Sequence, residues 1–320
     1  MADQALDIGL RQKIEQAAAR LKPTRLSPEL VAWGNGPDPD KYWIPENLVP
    51  LLGTQAYKEL TDEQRLRYNQ YYALELAEQF NWLENRLTIA GYTALLRGPV
   101  PSPALRTLLE SLIVDEQGHS ASFRRLLKLA RPDIYDNSVP LQFFTPPRQL
   151  YLLAMLTARL PRLLSGWVFL VGVLEEATLI ISRSYTEAGE DTDPLFARVH
   201  ILHAQDEARH CVIDTLVAEW LIDGQHDWAR RANSKVLDLM FQAYYDPGWG
   251  YDMPIKRLVA DFPDLRGQEA EIIGQISDAR SAQIVDYWFD PAMSPITAQN
   301  AKRFDMLDRA IRNVSKTLGN

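Results

Sequence analysis

Apolar residues recur at helical spacing along almost the whole chain. Leu6, Leu10, Ile14, Ala17 and Leu21 share one face of a helix over residues 5–21. Thr61-Asp62-Glu63-Gln64 has the form of a capping box, a hydroxyl followed three residues later by an amide, and opens a long helix that reaches about Arg97. Gly98-Pro99-Val100-Pro101-Ser102-Pro103 ends it, and a second long helix follows over 104–129. After a loop at 131–147 the pattern resumes at 148–160 and 161–188. Past Gly189-Glu190-Asp191-Thr192-Asp193-Pro194 it resumes again at 195–222. The last third predicts helices near 227–245, 265–289 and 297–317, with the turn-rich Asp246-Pro247-Gly248-Trp249-Gly250-Tyr251 after the first. Residues 22–60 break the pattern. Pro23, Pro28, Pro37, Pro39, Pro45 and Pro50, with Trp33 and Trp43 among them, predict irregular chain and short turns wrapped on the surface. No stretch alternates as a half-buried strand does, so the expected fold is all-α. It is read as one domain over 1–320, made of an N-terminal helix and Pro-rich arm (1–60), a helical bundle (61–222) and C-terminal helices (223–320).

One segment is apolar on every side. Leu163–Ile181, LLSGWVFLVGVLEEATLII, approaches the length of a spanning helix, but it contains Glu175 and Glu176. A carboxylate at the centre of a bilayer costs roughly 2.5 kcal/mol or more, whereas an all-round apolar helix fits the middle of a bundle in water. The buried reading raises its own question, because an unpaired carboxylate in an apolar core is costly.

The 320 residues are 46% hydrophobic and 24% charged, an ordinary globular composition that argues against disorder. The 34 Lys and Arg against 42 Asp and Glu leave a net charge of −8 without a basic tract, so neither nucleic acid nor a membrane is an expected partner. A single cysteine, Cys211, rules out an internal disulfide framework and fits a reducing cytoplasm. The start, MADQALDIGLRQKIEQ, has no apolar signal core.

His203-Ala204-Gln205-Asp206-Glu207-Ala208-Arg209-His210 holds two of the chain's five histidines. Positions i, i+4 and i+7 lie within about 60° of one another on a helix, so His203, Glu207 and His210 converge as a ligand set for iron or a similar metal. Glu116-Gln117-Gly118-His119 is a second pair on another helix. Asp115-Glu116-x-x-His119 echoes Asp206-Glu207-x-x-His210. Each copy lies on the second helix of a hairpin, and pseudo-twofold symmetry asks for one more carboxylate on each first helix. In the second hairpin this is Glu175 or Glu176. In the first, Glu84 lies at the edge of the stripe Leu76, Phe80, Leu83, Leu87, and Glu78 points away from it towards solvent, with Glu75 and Glu78 kept as alternatives. Two helices giving Glu and two giving Glu-x-x-His make the di-metal carboxylate pattern of ferritin-like four-helix bundles. The cations would replace the hydration lost by the buried glutamates. Four carboxylates, three neutral imidazoles, two ferric ions and one oxo or peroxo bridge carry no net charge.

The ordered set Glu84, Glu116-x-x-His119, Glu176, His203-x-x-x-Glu207-x-x-His210 resembles the non-haem di-iron N-oxygenases of the AurF type, the para-aminobenzoate N-oxygenase family. The third histidine, four residues ahead of the second motif's glutamate, is the discriminating feature. The resemblance runs from about Thr61 to Leu221. It implies two iron ions per chain and oxidation of an amine nitrogen by O2, through a peroxo-di-ferric intermediate, towards hydroxylamine, nitroso or nitro product. The substrate it implies is an arylamine or the amino group of a natural-product precursor. Glu84 and Glu176 would be the first-helix ligands, Glu176 being preferred over Glu175 because its gap to His203 looks like the family's. Glu116 and Glu207 would bridge or chelate the pair, His119 and His210 would each terminate one iron, and His203 would add a nitrogen donor. Asp115 and Asp206 are each expected to hold a histidine of the opposite hairpin.

The competing readings are a di-iron oxygenase acting on C–H bonds or on an aminoacyl group tethered to a carrier protein, and a ferroxidase or iron-storage bundle. No flavin, nicotinamide or iron–sulfur motif is present, so an external electron donor is expected, and exposed helical faces leave room for a homodimer. Arg86, Arg183 and Arg209 are candidates for a substrate carboxylate, though ordinary surface or structural roles suit them better. Cys211 is read as packing, His200 as an unneeded further ligand, His226 as exposed, and Trp167, Phe169, Phe123 and Tyr185 as core aromatics.

Overall fold

The computed structural model describes residues 6–135, 141–146, 148–244, 252–277, 292 and 294–304. Helix dominates, and among the described residues there is no β-strand, only one bridge between Tyr42 and Thr192. Helix α1 is Ile8–Ala19, capped by Asp7. Helix α2, Asp62–Leu83, opens on the capping box that the sequence predicts, with Thr61 and Gln64 bonded reciprocally. The expected single helix to Arg97 is interrupted by a π-helical turn at Glu84–Thr88 and resumes as α3, Ile89–Leu96. A π-turn inserts one residue into the helical register and is common at functional sites; this one begins at Glu84.

The two helices that carry the repeated motif start alike. Helix α4, Pro103–Ala130, is capped by Ser102, and α7, Pro194–Ile222, by Asp193, with proline in the first turn of each. Their motif glutamates stand equally far from those prolines (116 − 103 and 207 − 194, both 13). The start signals therefore fix the height at which Glu116 and Glu207 meet across the bundle. Between them in sequence lie α5, Arg148–Arg159, and the apolar helix α6, Gly166–Ala188, whose residues 166–178 are all buried. No described helix is long and apolar enough to cross a membrane. Helices α8 (Asp227–Tyr244), α9 (Asp252–Asp261) and α10 (Pro295–Ala301) follow. Helix α9 was not expected from the sequence pattern. The predicted helices at 265–289 and 297–317 are described in part, residues 269–277 being helical, and the turn-rich stretch 246–251 lies outside the described residues.

Two apolar clusters fill the bundle. One joins α1, Leu83 and Leu87, Leu105–Leu112, and Trp167–Leu174 to Ile213–Ile222; the other joins Tyr68–Phe80, Phe123–Leu127 and Leu195–Leu202 to the arm. The polar residues of the motifs lie between them, so their charges face low-dielectric material on both sides. The arm does not wrap the surface. Leu26, Val31, Trp33, Trp43, Ile44, Val49 and Leu51 are buried in the second cluster. Asn69 of α2 secures the chain there, accepting from the backbone N–H of Trp43 (2.8 Å) and donating to the carbonyl of Ile44 (2.7 Å). Tryptophans and branched residues between the prolines supply enough apolar area to favour burial of an otherwise irregular chain.

Candidate metal centre

Glu84, Glu116, His119, His203, Glu207 and His210 meet at the centre of α2, the π-turn, α4 and α7, and all six are buried. Glu116, His119, Glu207 and His210 form one group, with ligand atoms within 4.8 Å of one another. Glu84, His119 and His203 form a second, joined to the first through His119. The two motifs face each other with pseudo-twofold symmetry. His210 Nδ1 lies 3.0 Å from Glu116 and 3.2 Å from Glu207, and His119 Nδ1 lies 3.2 Å from Glu207. His203 Nε2 approaches Glu207 at 2.7 Å and Glu84 at 3.2 Å.

These contacts are short, yet many of the atoms lack hydrogen-bond geometry. Both oxygens of Glu84, one of Glu116, Nδ1 of His119 and both ring nitrogens of His203 have no hydrogen-bond partner. Buried polar atoms are almost always bonded. A cluster of lone pairs that point past one another towards shared space is the geometry of a metal site, so the residues present fit a cation pair. The electrostatics agree. Burial pushes the Glu84 carboxyl up to about 7, against the lowering effect of His203. Burial disfavours the His119 cation, but Asp206 and Glu207 outweigh it and raise the ring to about 10.

Of the two adjacent carboxylates of α6, the structure places Glu175 beside the cluster and Glu176, the residue preferred from the sequence, on a different partner. Both Glu176 oxygens accept backbone N–H groups at the start of α10, from Ile296 (2.9 Å) and Thr297 (2.7 Å). Glu175 instead faces a cavity of about 30 Å3 that also borders Glu84, Glu116, His203 and Glu207. Neither of its oxygens has a hydrogen-bond partner. Burial and the negative charges of Asp214 and Glu207 push its carboxyl well above the usual range. Adjacent residues differ by about 100° on a helix, and the C-terminal helix, which carried no motif, claims the second of the two.

The alternatives to Glu84 lie elsewhere. Glu78, expected in solvent, is fully buried: it accepts from Tyr135 Oη (2.5 Å) and from the backbone N–H groups of Gln142, Phe143 and Phe144. Those donors offset its burial by holding a loop that the helical pattern did not position. Glu75 is buried and stands outside the metal groups.

Each aspartate contacts a histidine of the other hairpin. Asp206 lies 3.1 Å from His119 Nε2 and Asp115 lies 3.2 Å from His210 Nε2. With Nε2–H donated outward, each Nδ1 lone pair faces the cluster. Arg209 spans the two, donating to Asp206 (2.8 Å) and Asp115 (2.9 Å), which makes it structural and not a substrate ligand. The arm completes this layer. Arg25 and Leu26 donate their backbone N–H groups to Asp206, and Thr24 donates its hydroxyl to Asp115. Nothing in the helical pattern pointed to residues 24–26, because backbone donors carry no sequence signature.

Gly118, inside the Glu116-x-x-His119 motif, lets the arm approach: a Cβ there would stand 2.9 Å from the carbonyl oxygen of Leu26. Gly118→Ala is expected to displace the arm and cost about 1–3 kcal/mol, as overpacking does, read as a lower thermal midpoint. Asp206 also predicts an acid limit. Burial would raise its pKa, but His119 and the N–H groups of Leu26 and Arg25 outweigh that and hold it at about 2. An unfolded aspartate titrates near 3.9. The folded value being the lower, the contribution is complete above about pH 4 and is lost as pH falls towards 2, roughly 2–3 kcal/mol in all. Denaturant midpoints across this window are expected to fall in the wild type and to flatten in Asp206→Asn.

The remaining candidates are structural. His200 packs among Phe80, Phe123 and Tyr185, and burial, helped by His203, lowers it to about 3. Cys211, Trp167, Phe169, Phe123 and Tyr185 are buried, whereas His226 and Arg183 are exposed.

An all-helical, ferritin-like bundle with a buried carboxylate–histidine cluster able to bind a metal pair defines a di-metal carboxylate protein. The profile of the P-aminobenzoate N-oxygenase AurF family matches residues 17–295, and the chain belongs to that family. Membership makes it an O2-dependent oxidoreductase. Among curated proteins no sequence matches the chain.

Proposed function

We propose that this chain is a di-iron N-oxygenase that uses O2 to oxidise the nitrogen of an arylamine, or of a natural-product precursor amine, to hydroxylamine, nitroso or nitro product. The observation that carries the reading is the third histidine. His203 joins Glu84 and His119 in a second donor group beside the four residues of the repeated motif, a nitrogen-rich set for two metals. Glu84, Glu116, His119, Glu175, His203, Glu207 and His210 would hold two irons. The iron pair would supply O2 activation, with electrons from an external donor. Asp115 and Asp206 keep His119 and His210 in the tautomer that binds metal. Phe80 and Phe123 stand edge-on to His203 at 5.2 and 5.0 Å and exclude water from that side. The cavity beside Glu175 is walled by Leu83, Val171 and Leu174, with the hydroxyl-bearing Thr88 and Thr178. Its volume is about that of one water molecule. A space of this size is too small for an aryl ring.

The test is anaerobic loading with Fe(II), exposure to 18O2, and addition of p-aminobenzoate or aniline as probes. Two irons per chain, an O2-dependent visible band that decays faster with amine, and product carrying 18O on nitrogen are expected. Conversion indifferent to amine and followed by release of iron would replace the proposal with iron handling.

A further inference from the structure

A second cavity, of about 1020 Å3, opens on the other side of the same helical turn. Glu84 faces the metal cluster, while the next two residues, Asn85 and Arg86, line this cavity. Arg124, Arg125 and Lys128 line it from the outer face of α4, at spacings that bring them together along one side of that helix. All four cations are exposed, and among the described residues Arg86, Arg124 and Lys128 have no ion-pair partner. The guanidinium of Arg125 lies 4.9 Å over the ring of Trp33, which orients it. Four cations converging, with no carboxylate among the described lining residues, is a local inversion of charge in a chain of net charge −8. A concave wall of one sign focuses its field on a ligand of the other.

The inner wall is built and polar. Ser120 donates to Asn81 Oδ1 (2.7 Å), and Asn85 donates to the Asn81 carbonyl (2.7 Å) and to the Ser120 hydroxyl. Trp82 and Tyr151, which also line the cavity, pair with ring centroids 6.4 Å apart and give it an apolar surface. The volume is of the size that small-molecule sites occupy. Arginine forks match phosphate geometry, and a dianion suits several converging cations better than a single carboxylate does.

We propose that this cavity binds a phosphorylated small molecule, with its phosphate on Arg86, Arg124, Arg125 and Lys128 and its organic part against Trp82 and Tyr151. The site shares no residue with the metal cluster and operates with or without iron.

The experiment is calorimetric titration of the full chain, iron-loaded and chelator-stripped, with two probe pairs: AMP against adenosine, and FMN against riboflavin. In at least one pair the phosphorylated member is expected to bind about tenfold or more tightly than its partner, with an affinity that falls as salt rises. The preference is expected to persist after iron removal and to vanish in the Arg124→Ala/Arg125→Ala double variant. Both side chains are exposed, so helicity and iron content are expected to stay unchanged. Three results would each overturn the proposal: no phosphate preference in either pair, a preference that survives the double variant, or one that disappears with the iron. The last would assign the phosphate to the metals, and none of the three bears on oxidation of an amine.

Discussion

Glu175→Gln is expected to abolish loading of the metal pair and, at the same time, to stabilise the metal-free chain. Glu175 is buried among Glu116, Glu207 and Asp214, and burial and those charges push its carboxyl well above the usual range, so folding carries the cost of suppressing its ionisation until a cation is bound. A neutral amide relieves on the order of 1–3 kcal/mol of that cost. It also removes an anionic donor, and the loss of metal affinity should exceed the 10–100-fold typical of residues that only support a ligand. Glu176→Gln is expected to do the reverse. It weakens the two N–H contacts at the start of α10, costing about 1 kcal/mol as loss of a helix cap does, and leaves metal content at the wild-type level. Iron content and the thermal midpoint of both variants decide the matter. A Glu176→Gln chain that fails to load while Glu175→Gln loads normally would return the ligand role to Glu176.

Asp206→Ala is the second large effect, and it links stability to the metal site. One fully buried carboxylate there accepts from Arg25 N–H, Leu26 N–H and Arg209 and contacts His119. Its removal leaves Arg209 and two backbone donors without their acceptor, and removing one partner of a buried ion pair typically costs about 3–5 kcal/mol. His119 loses the contact that sets its tautomer, so metal affinity is expected to fall about 10–100-fold. Asp115→Ala should lower metal affinity comparably through His210 but cost less stability, since the arm reaches Asp115 through the Thr24 hydroxyl alone. Unfolding midpoints and competition with a chelator separate the two effects. Unchanged iron retention in Asp206→Ala would remove the positioning role.

Much of this centre is legible in the sequence because its information is local. The spacing within His203-x-x-x-Glu207-x-x-His210 and Glu116-x-x-His119 fixes which side chains share a helix face. The Ser102-Pro103 and Asp193-Pro194 starts, equally distant from Glu116 and Glu207, set the height at which the two helices meet. The capping box at Thr61 and the all-round apolar α6 are local signals of the same kind. The contacts of Asp115 and Asp206 with histidines of the opposite hairpin also follow once the two motifs are read as a symmetric pair.

What a helical wheel could not decide was anything set by a distant partner. Glu175 and Glu176 are adjacent, and on a helix buried all round both face protein. Only the docking of Ile296 and Thr297 against Glu176 leaves Glu175 for the cavity. Glu78 looks solvated until the loop at 142–144 brings three N–H groups to it. The Pro-rich arm looks peripheral until its backbone donors at Arg25 and Leu26 reach Asp206. The π-turn at Glu84 inserts a residue that no propensity marks. Periodicity encodes which residues of one helix point the same way, and that much the chain determined for itself. Which buried carboxylate meets a backbone donor, and which is left for a cation, is determined by non-local packing, because the groups that satisfy it come from segments with no spacing relation to the motif.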